Sequence, residues 1–538
     1  MVLLRFAPSP TGFLHLGGLR TALYNYLYAR KHGGKWILRV EDTDATRYVP
    51  GSVENIQESL NWAGLEYDYG PGKGGPHGPY VQSERLDLYR SYSKKLLDLG
   101  HAYRCFCSGD KLNATRERLA RSGSNETYDK TCLHLTDEEV ARRVRAGEKH
   151  AIRLNDSTMP KRPAGHDIVF GTWKENHGSL PTDPILIKSD LFPTYHLASV
   201  VDDHEMGITH VLRGEEWLPS LPLHLDLYAC LSLPPPEFAH IPILLNADGT
   251  KMSKRSGDTQ VIDYMKQGYE PGAVLNWLAL AGWGVKHEQT SDPSTPPTSE
   301  HAQSGGEQKS EDNIAPDSRS IMTLPELIEK FDLHTLTHRR SILDPVKLGR
   351  INRQHLLRKI SAPEGRESMV DKLYDYLKQT YPDSEYTTKD YVRRLIPIMN
   401  IGTFEKVKDH LPIFFTEPGL HTPEAQELVH SMSNATYKEV AQKLIRVVEN
   451  PDLIWERDQL EIEMRATGRD GPWRTRVIMT VMRHALTGMM TGPSVADIMH
   501  LLGRERTLHR LQTASQQDVV KSWRSWHGKS QHAKLPSR

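Results

Sequence analysis

Two short segments of this 538-residue chain combine residue types that suit phosphate chemistry. The first is Arg5-Phe6-Ala7-Pro8-Ser9-Pro10-Thr11-Gly12-Phe13-Leu14-His15-Leu16-Gly17-Gly18. Glycines at 17 and 18 let a phosphate or ribose approach the backbone. A helix starting there would present free N–H groups and positive dipole character, and His15 is a ring donor for a phosphate oxygen. Taken alone, His-x-Gly-Gly reads better as a tight turn with a satisfied surface histidine. The second segment is Gly249-Thr250-Lys251-Met252-Ser253-Lys254-Arg255-Ser256-Gly257, three cations on a glycine-bracketed loop after an apolar run. Lys251, Lys254 and Arg255 suit charge that develops on a departing pyrophosphate, stabilised without a covalent step. Taken alone, that loop is also an ordinary solvated basic turn.

A third constellation is Cys105-x-Cys107, then 24 residues, then Cys132-x-His134. Three thiols and an imidazole make a tetrahedral zinc set, at tighter inner spacing than common zinc fingers; scattered buried thiols are the alternative.

These segments need elements to position them. Val2–Phe6 reads as a strand broken by Pro-Ser-Pro-Thr-Gly; Leu16, Leu19, Leu23, Tyr26 and Leu27 recur at helical spacing until Gly33-Gly34; Lys35–Val40 reads as a second, buried strand. This is a βαβ unit with the first loop at the carboxyl end of its first strand, where open α/β sheets bind ligands. Gly70–Pro79, with five Gly and three Pro, marks a boundary. Arg85–Leu99 reads as a helix, a charged stretch runs to about Lys149, and Ala151–Leu154, Asp167–Phe170 and Pro184–Lys188 read as short strands of an α+β insertion. The α/β texture returns at Thr194, with Thr209–Arg213 as a strand, Leu218–Leu231 as a helix and Ile241–Leu245 as a strand entering the second loop. Lys286–Ser320 is too polar to bury a core and is expected to be disordered. Beyond Leu324 the periodicity is helical throughout.

The fold expected is an α/β Rossmann-type catalytic domain with an α+β insertion, followed by an all-α C-terminal region. The corresponding divisions are 1–75 and 191–285 for the two Rossmann halves, 76–190 for the insertion, 286–320 for a linker, 321–360 for a stem-contact region and 361–538 for a helical domain. Lys+Arg and Asp+Glu both number 68, which removes global charge as a clue to partners. A mean hydropathy of −0.56 and the lack of any long apolar run exclude a membrane-spanning helix. Four cysteines are too few for a disulfide scaffold and fit a reducing compartment.

Together, the two basic and glycine-bearing loops resemble the signature loops of class I aminoacyl-tRNA synthetases. Arg-Phe-Ala-Pro-Ser-Pro-Thr-Gly from Arg5, with Arg39-Val40-Glu41-Asp42-Thr43-Asp44 after the second strand, is similar to the glutamyl-tRNA synthetases of bacterial and organellar type. The resemblance is dense to about residue 285 and looser from Leu324 to Leu357. It implies ATP with Mg2+, L-glutamate and tRNA(Glu) as substrates and partners, and leaves charging of tRNA(Gln) open. Arg5 and Arg213 would hold substrate carboxylates as planar cationic forks. Glu41 would receive the α-amino group, and Ala7, Ser9, Tyr195 and Ser199 would line the pocket, although position 199 is Asn in some relatives. His15, Gly17, Gly18, Glu216 and Lys254 would bind ATP, with Lys251 and Arg255 joining Lys254 and His15 in catalysis. Gly18 stands where many class I members have a second His; the glutamyl branch commonly has Gly. Cys105, Cys107, Cys132 and His134 resemble the zinc module found in the acceptor-binding insertion of some bacterial members.

The resemblance also implies that the helical C-terminal region reads the anticodon. Arg465, Arg469, Trp473, Arg474 and Arg476 are a candidate cluster for stacking and phosphate contacts, as are Lys521, Trp523, Arg524, Trp526 and Lys529 in a basic tail. A helix surface and a solvated tail are the alternatives. A catalytically inactive, synthetase-like RNA-binding protein is the rival reading, and intact His15, Lys254 and Arg213 argue against it. Nothing demands more than a monomer. The helical C-terminus implies bacterial cytoplasm or an organelle; the polar insertion and near-neutral charge favour the mitochondrial matrix, although no leader is visible.

Overall fold

In the computed structural model, which describes residues 1–172, 181–246, 249–250, 260–283, 320–399, 403–469 and 472–520, strand β1 (Leu3–Phe6) runs through the Pro-rich loop into the helix Leu16–Lys31 and returns as β2 (Lys35–Leu38), parallel to β1. The return is tight. A side chain on Gly34 would meet the Val2 carbonyl oxygen at 2.4 Å, so only glycine fits there.

Five strands follow: β3 (Ala102–Cys105), β4 (Ala151–Leu154), β5 (His166–Asp167), β6 (Gly171–Thr172) and β7 (Ile185–Ile187). β3, β4 and β7 form a separate antiparallel sheet that packs against the helices Leu86–Asp98 and Tyr195–Glu205. β5 instead joins the main sheet. With β8 (His210–Gly214) and β9 (Glu237–Ile241), the main sheet has the order β2-β1-β8-β9-β5-β6, parallel except for β6. A short parallel pair, β10 (Leu244–Leu245) with β11 (Ser341–Ile342), closes this part of the chain.

Three strand and helix expectations need correction. Asp167–Phe170 is not one strand, because the Asp167 carboxylate accepts from the backbone N–H of Val169 and Phe170 and turns the chain. Ile241–Leu245 is split at Pro242, which has no N–H for a ladder, and the real strand, Glu237–Ile241, lies upstream. Leu218–Leu231 begins as a 3-10 turn over Glu215–Ser220 and becomes α-helical only at Leu221–Cys230. The expected disorder of 286–320 falls, except for Ser320, outside the described residues.

Alternation along the strands sends side chains to two different cores. One face, with Leu4, Phe6, Trp36, Leu38 and Leu212, packs under Leu19, Leu23 and Leu27 and the helix Pro271–Leu280, which is apolar except for Asn276. The other face, with Ile37, Val211 and Phe238, is covered by Leu197, Val200 and Val201 of the helix Tyr195–Glu205. Helices on both faces of a parallel sheet make the Rossmann-type architecture.

The chain divides into two compact units, Met1–Ile351 and Asn352–Arg538. Among its described residues the second unit is helical, with the helices Pro363–Thr380, Asn434–Glu449, Arg457–Arg469, Thr475–Thr487 and Val495–Gln516 around one apolar core. Arg510 is buried there and donates to the carbonyls of Ile413, Leu486 and Thr416. No described helix is long and apolar enough to cross a membrane.

Candidate active site

A cleft of about 520 Å3 opens at the carboxyl ends of β1 and β8. The chain leaves β1 toward β2 on one side and the sheet continues to β8 on the other, so this is the point where strand order reverses and ligands bind in open α/β sheets. Arg5, Ala7, Ser9, His15, Gly17, Gly18, Glu41, Tyr195, Arg213 and Glu216, drawn from four separate stretches of sequence, all line it.

His15 caps the helix that follows it. Its Nδ1 accepts from Gly18 N at 3.1 Å, so in the neutral ring the proton sits on Nε2. Gly17 protects this arrangement, since a Cβ there would stand 3.1 Å from the His15 ring. The segment holding Lys251, Lys254 and Arg255 lies outside the described residues, but its far end is tied to the first loop: Val261 N donates to Leu14 O, and Gln260 bridges His15.

Arg5, Arg39 and Arg213 bring buried cations to the sheet face covered by the helix Tyr195–Glu205. On that helix Tyr195, Ser199 and Asp203 recur every fourth residue, forming one stripe toward the cleft. Asp203 Oδ1 accepts from Arg5 Nε at 3.0 Å and from Arg39 Nη1 at 2.7 Å, and Arg39 Nη2 donates to Glu41 Oε1 at 3.1 Å. Burial alone would raise the Asp203 carboxyl, but Arg5 and Arg39 outweigh it and hold it below the usual range. For Glu41 burial wins over Arg39 and Arg5, and its carboxyl is raised. Ser199 is fully buried behind Glu41, 3.4 Å from its Oε1, and does not line the cleft.

Arg213 has a different environment. Its Nε donates to His240 Nε2 at 3.0 Å, one terminal nitrogen to the Tyr195 hydroxyl at 3.0 Å and to His224 Nδ1 at 3.3 Å, and the other to the Trp217 carbonyl. Among the described residues no carboxylate lies within ion-pair distance of it, although it is only 5% exposed. Burial, reinforced by Arg213, draws His224 well down and His196 to about 4, so these rings are neutral at neutral pH. Tyr195 in turn packs against Trp217, with ring centroids 4.2 Å apart and the planes tilted by 34°.

The thiols of Cys105, Cys107 and Cys132 converge within 4.8 Å of one another. His134 does not join them, contrary to the expectation. The turn Lys130–Leu133, with Lys130 at φ 54°, points Cys132 inward and leaves His134 exposed. The Tyr128 hydroxyl stands beside the cluster instead, 3.5 and 3.6 Å from the sulfurs of Cys105 and Cys107. A hydrogen bond from Cys132 favours the thiolate at Cys105, drawing it below the usual thiol range against burial, and holds Cys132 as the thiol. Three soft donors of this kind fit a zinc ion.

Residues 1–294 match the family described as tRNA synthetases class I (E and Q), catalytic domain, and residues 368–515 match the anticodon binding domain. A glutamate–tRNA ligase of Chloroherpeton thalassium is 38% identical over 95% of this chain and 97% of its own length. One of Alkaliphilus metalliredigens is 36% identical over 95% and 98%. The chain belongs to the glutamate–tRNA ligase family of class I aminoacyl-tRNA synthetases. A solved glutamate–tRNA ligase from Elizabethkingia meningosepticum, in complex with its amino acid, superposes with a TM-score of 0.77 at 31% identity, covering 96% of this chain and 99% of that one.

A glutamate–tRNA ligase joins L-glutamate to tRNA(Glu) using ATP, and this chain has both a catalytic cleft and a helical anticodon-binding region for that task. In the second unit, Arg465 is paired with Glu461 at 2.7 Å, while Trp473 packs against the helical core and Arg474 precedes the helix Thr475–Thr487. The basic tail candidates Lys521, Trp523, Arg524, Trp526 and Lys529 lie outside the described residues. The sequence reading missed Asp203, Arg39, His240 and Asp167. Asp203 could have been found, because it sits on the same helical stripe as Tyr195 and Ser199; Arg39 depends on that helix, and His240 and Asp167 on strand neighbours remote in sequence.

Proposed function

We propose that this glutamate–tRNA ligase binds L-glutamate between Arg5, Glu41 and Arg213. Arg5 uses Nε on Asp203, so its terminal nitrogens face the cleft as one carboxylate fork. Arg213 supplies the second cation, Glu41 receives the α-ammonium group, and Ala7, Ser9 and Tyr195 shape the walls. The observation that carries this reading is Arg213: a buried guanidinium surrounded by neutral partners awaits an anion, and glutamate brings one.

The substrate's α-carboxylate is already ionised and attacks the α-phosphate of ATP, so no side-chain base is required; positioning and charge stabilisation carry the step. His15 Nε2 and the N–H groups of the helix it caps hold phosphate oxygens, with Gly17 and Gly18 allowing close approach, and Glu216 sits at the ribose or adenine. Lys251, Lys254 and Arg255 stabilise the departing pyrophosphate. Mg2+ arrives with ATP. The second step transfers glutamate from the adenylate to the 2′-OH of the terminal adenosine of tRNA.

Cys105, Cys107 and Cys132 would hold a structural zinc ion, which would cross-link the end of β3 to the turn at Cys132. The relatives are bacterial, which supports a bacterial-type enzyme, acting as a monomer in a bacterial cytoplasm or the mitochondrial matrix; partitioning of a tagged full-length chain distinguishes these. Aminoacylation with labelled glutamate, separate tRNA(Glu) and tRNA(Gln), and Lys254→Ala as control tests the whole reading. Charging of tRNA(Glu) that is lost in the control supports it, charging of tRNA(Gln) as well defines a relaxed enzyme, and charging of neither refutes it.

A further inference from the structure

His240 and Asp167 form a buried relay behind Arg213. The three residues come from three adjoining strands of the main sheet: Arg213 and His240 are direct neighbours in the β8–β9 ladder, and Asp167 lies on β5, next to β9. His240 and Asp167 are both fully buried. The Asp167 carboxylate accepts from His240 Nδ1 at 2.6 Å and from the His240 backbone N–H at 3.0 Å, and also holds the turn at Val169 and Phe170. His240 Nε2 meets Arg213 Nε at 3.0 Å. His240 and Asp167 do not line the cleft.

We propose that His240, with its tautomer set by Asp167, is a positioning residue that aims Arg213 at the substrate carboxylate while leaving the guanidinium charge uncompensated. The chemistry follows from donor and acceptor counting. An ionised Asp167 can only accept, so the proton of a neutral His240 must sit on Nδ1. Nε2 then carries a lone pair, the one partner an Arg N–H can use. Burial holds the ring down to about 4 despite Asp167, which keeps it neutral in the working range.

A neutral acceptor at this place has a consequence that a carboxylate would not. Arg5 has Asp203 on its Nε, a full counter-charge in contact. Arg213 has an imidazole there, and the nearest negative charge on that side lies one ring further away, on Asp167. Orientation is thereby separated from neutralisation. The field left at Arg213 favours an anionic side chain over a neutral amide of the same shape, which is the distinction between glutamate and glutamine.

The inference rests on Arg213 contacting glutamate, and the test keeps the two apart. ATP–pyrophosphate exchange is measured with tRNA present, varying glutamate and ATP in turn, for Arg213→Ala, His240→Asn, His240→Gln and Asp167→Asn. Asn at 240 reaches Asp167 but not Arg213; Gln reaches the place of Nε2 and can turn its oxygen to Arg213. In His240→Asn the KM for glutamate is expected to rise at least tenfold, with the KM for ATP within twofold, and His240→Gln to recover most of the loss. Asp167→Asn, whose amide can donate to Nδ1 and move the ring proton to Nε2, should raise the glutamate KM in the same selective way. An unchanged glutamate KM in His240→Asn, a parallel change for ATP, or equal loss in Asn and Gln overturns the proposal. An unchanged glutamate KM in Arg213→Ala would instead remove the binding role of Arg213 itself.

Discussion

Asp203 Oδ1 lies 3.0 Å from Arg5 Nε, and the pair is almost wholly buried. The same oxygen holds Arg39 at 2.7 Å, so one carboxylate bridges two cations beneath the cleft, Arg39 being paired with Glu41 as well. Removing one partner of a buried ion pair typically costs about 3–5 kcal/mol, because the remaining charge has lost both water and its counter-ion. Asp203→Asn should therefore destabilise the first unit by about 3 kcal/mol or more and raise the glutamate KM as Arg5 loses its anchor. Chemical denaturation and exchange kinetics measure the two effects separately. An equally stable variant with unchanged KM would mean that the Arg5 position does not depend on Asp203.

His15 has two duties that one substitution can separate. Nδ1 caps the helix, and Nε2 is the donor assigned to phosphate. Asn is a good N-cap but does not place a donor where Nε2 stands. His15→Asn should keep the stability of the wild type to within about 1 kcal/mol, while kcat for pyrophosphate exchange falls on the order of 100-fold, the usual effect of losing one charge-stabilising donor. His15→Ala should show both losses. A fully active His15→Asn would leave the ring with the cap alone.

How far the sequence could be read divides along physical lines. The loop–helix of residues 5–31 and the second strand were legible because their signals are local: glycine and proline punctuation with apolar residues at helical spacing. The β5 placement was not, because a two-residue strand has no periodicity and its sheet partner lies more than seventy positions away, at Phe238. In the cleft, Arg5, Glu41 and Arg213 were legible through the resemblance of their motifs to a known family, which the fit of their side chains to carboxylates and an amine accompanies. Arg39, Asp203, Asp167 and His240 were not, since a residue that acts on another side chain has no substrate-facing chemistry to betray it. His134 was misassigned to the thiol cluster because spacing cannot report which way a turn directs alternate side chains.

Zinc measured by atomic absorption in purified protein should be close to one ion per chain, retained in His134→Ala and lost in Cys105→Ser and in Cys132→Ser. The three sulfurs already converge, whereas the imidazole is exposed. Tyr128→Phe would report whether the neighbouring phenol adds a fourth donor, through weaker retention against a chelator. Loss of zinc in His134→Ala would restore the original four-residue set.

Buried neutral histidines should make both units lose stability in acid. His240 and His196 in the first unit and His484 in the second are drawn to about 4, in each case chiefly by burial. Burial holds His484 neutral even though its Nε2 donates to the Leu420 carbonyl at 3.2 Å, a contact that favours the charged ring, while its Nδ1 faces the Tyr437 hydroxyl at 2.8 Å. The folded pKa lies below the unfolded value of about 6.5, so between the two the unfolded chain binds protons that the native chain does not. Stability should accordingly fall as pH drops from about 6.5 toward 4, by at most about 3 kcal/mol for each such ring, and be insensitive to these groups above pH 7. His484→Gln should flatten that slope for the second unit, at the cost of some stability at neutral pH from imperfect packing. Denaturation midpoints of wild type and variant between pH 4 and 8 provide the check. A slope that is unchanged by the substitution would assign the acid sensitivity to carboxylates instead.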